Sequence, residues 1–221
     1  MDNELSFSFL MSHIYCLKSK NMNIALIILA AGESKRMGVA KQLLKVEGET
    51  LLKRTLRTAL DTTCFPIAVV VGANKAQIVP ELQNAPITII DNPAWKEGMS
   101  GSIKMGLVGV YMTQKEIDGV IFVTADMPYL TAEIIENLKD LAEKNEDKQI
   151  IAAKYANQLG IPALFKREIF NDLLDLKGEL GAKSVINKYQ EKTLSVDFEK
   201  GQFDIDTPED YQNLLKNLNQ N

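Results

Sequence analysis

Lys35, Arg36 and Lys41 fall within seven residues of one another in the stretch "AAGESKRMGVAKQLL", which also holds Gly32 and Gly38. Small residues let a backbone approach a ligand closely, and exposed amides in a tight turn form a concavity that holds anions. A phosphate chain suits such a loop. A tight turn with solvated cations is the plainer alternative. The spacing is not that of a Walker loop, because Val39 follows Gly38 where lysine is required, and it is not a dinucleotide G-x-G-x-x-G.

Two aspartates stand where they could complement those cations. Asp126, in "VTADMPYL", follows an aliphatic run. The next helix already has Thr131 as a cap and Glu133 in its first turn. Asp126 is therefore either a metal ligand or a turn-former. Asp206 precedes "TPEDY". Pro208 favours a first helical position, which makes Thr207 the cap and leaves Asp206 free. Alternatively Asp206 itself caps, with Glu209 closing a capping box; Asp204 is a nearby substitute. Two carboxylates facing a basic glycine loop fit a magnesium–triphosphate complex, since Mg²⁺ takes one or two carboxylates plus phosphate oxygens. There it would neutralise charge developing in an in-line displacement at phosphorus.

The elements that must position these residues alternate in type. Short aliphatic runs, Ile24–Leu29, Ile67–Val71, Ile87–Ile90, Gly119–Val123 and Gln149–Ala153, read as strands buried on both faces. Between them lie helical patterns over Leu51–Leu60, Ala76–Gln83, Ser102–Tyr111 and Thr131–Lys144. "LGIPALF" reads as a short strand, and "KREIFNDLLDL", "GAKSVINKYQ" and Pro208–Leu218 as helices. This alternation predicts a single α/β domain with a doubly wound, mostly parallel sheet. In such sheets ligands bind beyond the carboxyl ends of the strands, where the basic loop and Asp126 fall.

Composition narrows the choice further. The 221 residues carry a net charge of −4, which argues against a nucleic-acid binder, so the cationic cluster is local and suited to a small anion. Two cysteines, Cys16 and Cys64, lack metal-ligand spacing, which fits a cytoplasmic protein. The one histidine, His13, precedes the region that reads as folded, so catalysis must use carboxylates, lysine, arginine, backbone amides or a hard metal. No run reaches the length of a membrane helix. Residues 1–21 read as a disordered extension or an upstream start, with Met22 opening the domain of residues 22–221.

"LAAGESKRMGVAKQLL", "NPAWKEGMSGSIKMGL", "TADMPYL", "GIPALFKREIF", "LKGELGAKSVI" and "DIDTPEDY" follow one another in this order. Together they resemble the MobA-like nucleotidyltransferases, most closely the molybdenum cofactor cytidylyltransferase branch, from about Ile24 to Leu214. The resemblance implies the nucleotide-diphospho-sugar transferase fold, a Rossmann-like type. It implies transfer of CMP from CTP to molybdopterin cofactor with release of pyrophosphate, with Mg²⁺, or Mn²⁺ in its place. Leu29, Ala30, Ala31 and Gly32 match the backbone along the nucleotide. Arg36 and Lys41 match the basic residues facing the triphosphate, Asp126 the metal aspartate, and Asp206 the second metal carboxylate.

By the same resemblance Gly72 lies near the base or ribose, unless it simply ends its strand. Ser100 and Ser102 offer amides to ribose or phosphate, unless they only cap a helix. Gly160, Pro162, Phe165, Gly181 and Lys183 border the acceptor pocket. The family more often carries Asp and Arg where this chain has Glu179 and Lys183, and lysine cannot grip phosphate bidentately. Guanylyltransferase relatives usually show "LAGG" where this chain has Ala31, which leans toward CTP over GTP. The alternatives are a guanylyltransferase on the same cofactor, a sugar- or alcohol-phosphate nucleotidyltransferase, and a non-enzymatic factor that hands the cofactor to a molybdenum hydroxylase.

Overall fold

A computed structural model describes residues 21–218. The chain runs β1 (Ile24–Ala30), β2 (Lys45–Val46), β3 (Glu49–Thr50), α1 (Leu51–Leu60), β4 (Ile67–Val71), α2 (Lys75–Ile78), β5 (Thr88–Asp91), α3 (Met99–Thr113), β6 (Gly119–Thr124) and α4 (Ala132–Lys144). It continues through β7 (Ile150–Tyr155), β8 (Gln158–Lys166), α5 (Phe170–Leu174), α6 (Ala182–Lys188), β9 (Thr193–Asp197) and α7 (Pro208–Leu218). Seven strands form one sheet in the order β5-β4-β1-β6-β8-β7-β9, and β2 pairs with β3 in a small separate hairpin.

β8 pairs antiparallel with both β6 and β7, while the other neighbouring pairs are parallel, so β8 alone is reversed. The reversal comes from the turn after β7. Ala156 and Asn157 both have positive φ, 46° and 58°, the conformation that two-residue hairpin turns require. The sheet is the mostly parallel, doubly wound one that the strand–helix alternation predicts.

Period-two alternation divides the core between the two faces. Ile24, Leu26 and Ile28 of β1 pack with Leu52, Leu56 and Ala59 of α1 and with Ile135 and Leu138 of α4. Ala25 and Ile27 pack on the opposite face with Ile103, Leu107 and Val110 of α3 and with Val185 and Ile186 of α6. Both strand faces are thus covered, which is why β1 reads as an unbroken aliphatic run.

Three features depart from the expected pattern. The helix expected over Ala76–Gln83 is a four-residue helix followed by a 3₁₀ segment, Val79–Leu82, because Pro80 lacks the amide that a continuing helix needs. β9 and the β2–β3 hairpin were not expected at all. Of the N-terminal segment read as an extension, residues 1–20 lie outside the described residues, as do His13 and Cys16 with them. Cys64 is buried, and burial pushes its thiol up to about 11. Among the described residues no helix is long and apolar enough to cross a membrane.

Candidate active site

β1 lies between β4 and β6, and the chain leaves it in the two opposite directions of a doubly wound sheet. Its carboxyl end is therefore the switch point where such sheets hold ligands. The loop after β1 and the segment after β6 meet there. The ladder continues past the strand ends, because the Ala125 amide donates to the Leu29 carbonyl at 3.2 Å.

The basic loop is held from behind by one buried side chain. Gln42 is 3% exposed, and its Nε2 donates to the carbonyls of Ala30 at 3.1 Å and Gly32 at 3.0 Å. The Ala73 amide engages the Ala31 carbonyl. Ser34, at φ 60°, accepts the Lys41 amide on Oγ, and Gly38 has φ 69°. With three consecutive carbonyls tied down, the turn offers an approaching anion amides and side chains. A 3₁₀ turn over Lys41–Leu43 then fixes where the Lys41 side chain starts.

Asp126 is 6% exposed, directly beyond β6. Thr131 Oγ1 accepts the Ile134 amide at 3.4 Å and caps α4, so Asp126 has no capping task. At the far end of the chain the α7 cap is Thr207. Its Oγ1 accepts the Asp210 amide, and the Asp210 carboxylate accepts the Thr207 amide at 2.8 Å in return. The capping partner is thus Asp210, not Glu209, and Asp206 is released. Ile205, buried with Met37, Val46, Leu51 and Leu214, pins the segment beside the loop.

Four charged side chains converge as a result. Lys41 Nζ lies 2.5 Å from Asp126 Oδ2 and 3.1 Å from Asp206 Oδ1, and Arg36 Nη2 lies 2.7 Å from Asp206 Oδ2. Burial lowers the pKa of Lys41, but the charges and hydrogen bonds of Asp126 and Asp206 outweigh it, and the net direction is upward from 10.5. Asp204 stands outside these ion pairs. Desolvation, then the Asp126 and Asp206 charges, raise its carboxyl above 3.8. Stripping a buried carboxylate of its cation costs about 3–5 kcal/mol, so Asp126 needs a positive partner at all times.

Arg36, Lys41, Asp126 and Asp206 line a cleft of about 670 Å³, whose lining also includes Leu29, Ala31, Gly32, Trp95, Met99, Ser102 and Glu179. Two carboxylates reaching one cation from separate segments are a donor set that suits a divalent ion completed by phosphate oxygens. Among the described residues no group of three or more His, Cys, Asp or Glu that could hold a metal occurs. A second cleft, about 630 Å³, lies between α1 and the segments Pro128–Thr131 and Asp197–Lys200. There Arg54 pairs with Glu47, Arg57 with Glu49, and Lys200 lies over the Tyr129 ring.

The structure thus brings together Arg36, Lys41, Asp126 and Asp206, with Leu29, Ala31, Gly32 and Ser102 on the same cleft; Ala30 is buried at the end of β1. Other expected positions fall elsewhere. Ser100 is buried with its amide on the Gly178 carbonyl, and it is absent from the cleft lining. Gly72 lies beneath the floor: a Cβ there would sit 2.8 Å from the Ala31 carbonyl oxygen and 2.9 Å from Trp95 Cβ. Phe165 does not border a pocket, because it is fully buried edge-on to Phe122. Gly160 and Pro162 are strand residues of β8, Gly160 under the Tyr155 hydroxyl. Gly181 packs against Met99 and is itself absent from the cleft lining, and Lys183 bonds Gln158 at 2.5 Å. Gln42 was missed, since a glutamine has no signature until its loop is folded around it. Trp95, the chain's one tryptophan, could have been singled out.

The known relatives agree with this architecture. The model of the MobA-like NTP transferase domain matches residues 26–193. The purine catabolism protein PucB of Bacillus subtilis (strain 168) is 28% identical over 196 residues, covering 84% of this chain and 92% of that protein. The molybdenum cofactor cytidylyltransferase of Escherichia coli (strain K12) is 26% identical over 186 residues, again covering 84% and 92%. The solved Rv0371C complex with manganese from Mycobacterium tuberculosis H37Rv superposes with a TM-score of 0.73 at 21% identity, over 88% of this chain and 98% of that one. A switch-point cleft with a basic glycine turn, on a chain whose domain match takes in the turn and Asp126, places this protein in the MobA-like NTP transferase family, as a nucleotidyltransferase.

Proposed function

We propose that the protein transfers CMP from CTP to the terminal phosphate of molybdopterin cofactor and releases pyrophosphate. The observation that carries this reading is the convergence of Arg36, Lys41, Asp126 and Asp206 in one cleft. The match to the Escherichia coli cytidylyltransferase over most of both chains supports CTP and the pterin acceptor. The manganese in the Mycobacterium tuberculosis neighbour supports a divalent ion, which we assign as Mg²⁺.

An acceptor phosphate oxygen forms a bond to the α-phosphorus, and the bond from that phosphorus to the bridging oxygen breaks. The electron pair leaves with pyrophosphate. Arg36 and Lys41 neutralise charge on the α-phosphoryl group and on the departing oxygen, electrostatic help commonly worth a few kcal/mol of barrier. Asp126 and Asp206 would hold the metal, which supplies further positive charge to the phosphate oxygens. The Gln42-braced turn holds its backbone still while the triphosphate is bound.

The test is pyrophosphate release from a panel of CTP, GTP, UTP and ATP with Mg²⁺ and purified molybdopterin cofactor. CTP should be turned over, and Asp126→Asn should lower turnover by about 10²-fold or more while the protein stays folded. Turnover with GTP alone moves the assignment to guanylyl transfer. Undiminished turnover in Asp126→Asn removes the metal role of that residue.

A further inference from the structure

Asp126 Oδ2 and Asp206 Oδ1 both point at a single atom, Lys41 Nζ, at 2.5 and 3.1 Å. A divalent ion between the same carboxylates would need metal–oxygen distances of about 2.0–2.1 Å, as for Mg²⁺. The ammonium and the metal therefore compete for one position. The lysine backbone is held, with its amide bonded to Ser34 Oγ and the adjoining Gln42 bonded into the loop. The four-carbon stem can, and it can carry its charge to another anion nearby.

The charges say when that happens. The ion-paired Asp126, Asp206, Lys41 and Arg36 sum to zero among themselves, with the Asp204 carboxyl close enough to feel all four. A lone divalent ion that displaced Lys41 would take both of its present partners and set the ammonium beside new positive charge. A triphosphate arriving with the ion more than offsets the added positive charge and gives Lys41 and Arg36 new acceptors.

We propose that Lys41 is the resident counter-ion of the Asp126–Asp206 pair, and that metal enters only in company with a triphosphate that draws the ammonium away. This deepens the nucleotidyltransferase reading and rests on it. The cleft then takes the metal–nucleotide complex as a unit and holds no divalent ion beforehand.

The experiment is a Mn²⁺ titration without nucleotide, reading free Mn²⁺ by electron paramagnetic resonance, on the full chain and its Lys41→Met and Lys41→Arg variants. Wild type and Lys41→Arg should bind Mn²⁺ weakly, and Lys41→Met at least about tenfold more tightly, because two partly buried carboxylates are left unneutralised. Adding Asp126→Asn to Lys41→Met should abolish the gain. A folded Lys41→Met chain that binds Mn²⁺ no better than wild type overturns the proposal. If Lys41→Met unfolds alone, recovery of its circular dichroism by millimolar Mn²⁺ supports the role, and failure to recover overturns it. The readout is independent of turnover. A gain in Mn²⁺ affinity, in a protein whose wild type releases no pyrophosphate from any nucleotide, would uphold the counter-ion and sink the transferase reading instead.

Discussion

At Lys41 two opposing effects meet. Burial disfavours the ammonium, and the Asp126 and Asp206 carboxylates favour it more, so its pKa rises above 10.5. A folded-state value above the unfolded one means that the stabilisation is complete below pH 10.5 and is lost as pH rises through the folded value. Asp204 has the same pH sign for a different reason: desolvation and the neighbouring Asp126 and Asp206 charges make its ionisation costly, so its contribution also falls as pH climbs above 3.8. Lys41 accordingly stays charged through the range in which a transferase is assayed. We expect the pH profile of kcat/KM for CTP to show no descending limb from Lys41 below pH 10.5. Lys41→Arg, whose guanidinium does not titrate, should give a profile of the same shape. A limb well below pH 10.5 that is present in wild type and missing in Lys41→Arg would contradict the assignment.

At the scale of elements, the basic loop matters more as a shape than as a sum of charges. Gln42 reaches back to the Ala30 and Gly32 carbonyls from the 3₁₀ turn and so joins the end of β1 to the residue that carries the key ammonium. Gln42→Leu keeps the volume and removes both donors, leaving the buried Ala30 carbonyl without Nε2 and the Gly32 carbonyl with only the longer bond from Asn74 Nδ2 at 3.4 Å. The cost should be about 1–3 kcal/mol of stability, read from urea unfolding. The nucleotide KM should rise about tenfold with a smaller change in kcat, since ground and transition states share the loosened turn. Unchanged stability together with unchanged KM would show that the loop is held by other means. The α7 cap works at the same level: with Asp210 closing the box on Thr207, Asp206 is left to face Arg36 and Lys41.

Across the whole molecule, what could be read from sequence followed from how strongly one interaction dominated each segment. β1, β4 and β6 are covered on both faces, so their aliphatic runs announce them. β9 is a half-exposed edge strand, and its "TLSVD" carries no such signal. Pro80 broke a helix that apolar periodicity alone suggested. Within the cleft, the cations and aspartates were legible because Thr131 and Thr207 took the structural roles that would otherwise have explained Asp126 and Asp206. Phe165 was misplaced for the converse reason: the motif around it is distinctive, yet its ring serves the core against Phe122. Gln42 was illegible because its partners are backbone carbonyls, which every residue possesses.

The central claim is that a metal–triphosphate sits between the basic glycine turn and the two aspartates. The most direct measurement is a crystal structure with Mn²⁺ and a CTP analogue that cannot release pyrophosphate, with the ion located by its anomalous scattering. The account predicts one Mn²⁺ peak bridging Asp126, Asp206 and phosphate oxygens, with Lys41 swung onto the triphosphate. A nucleotide seated in the cleft beside Arg54 and Lys200, or a Mn²⁺ peak away from both aspartates, would contradict it.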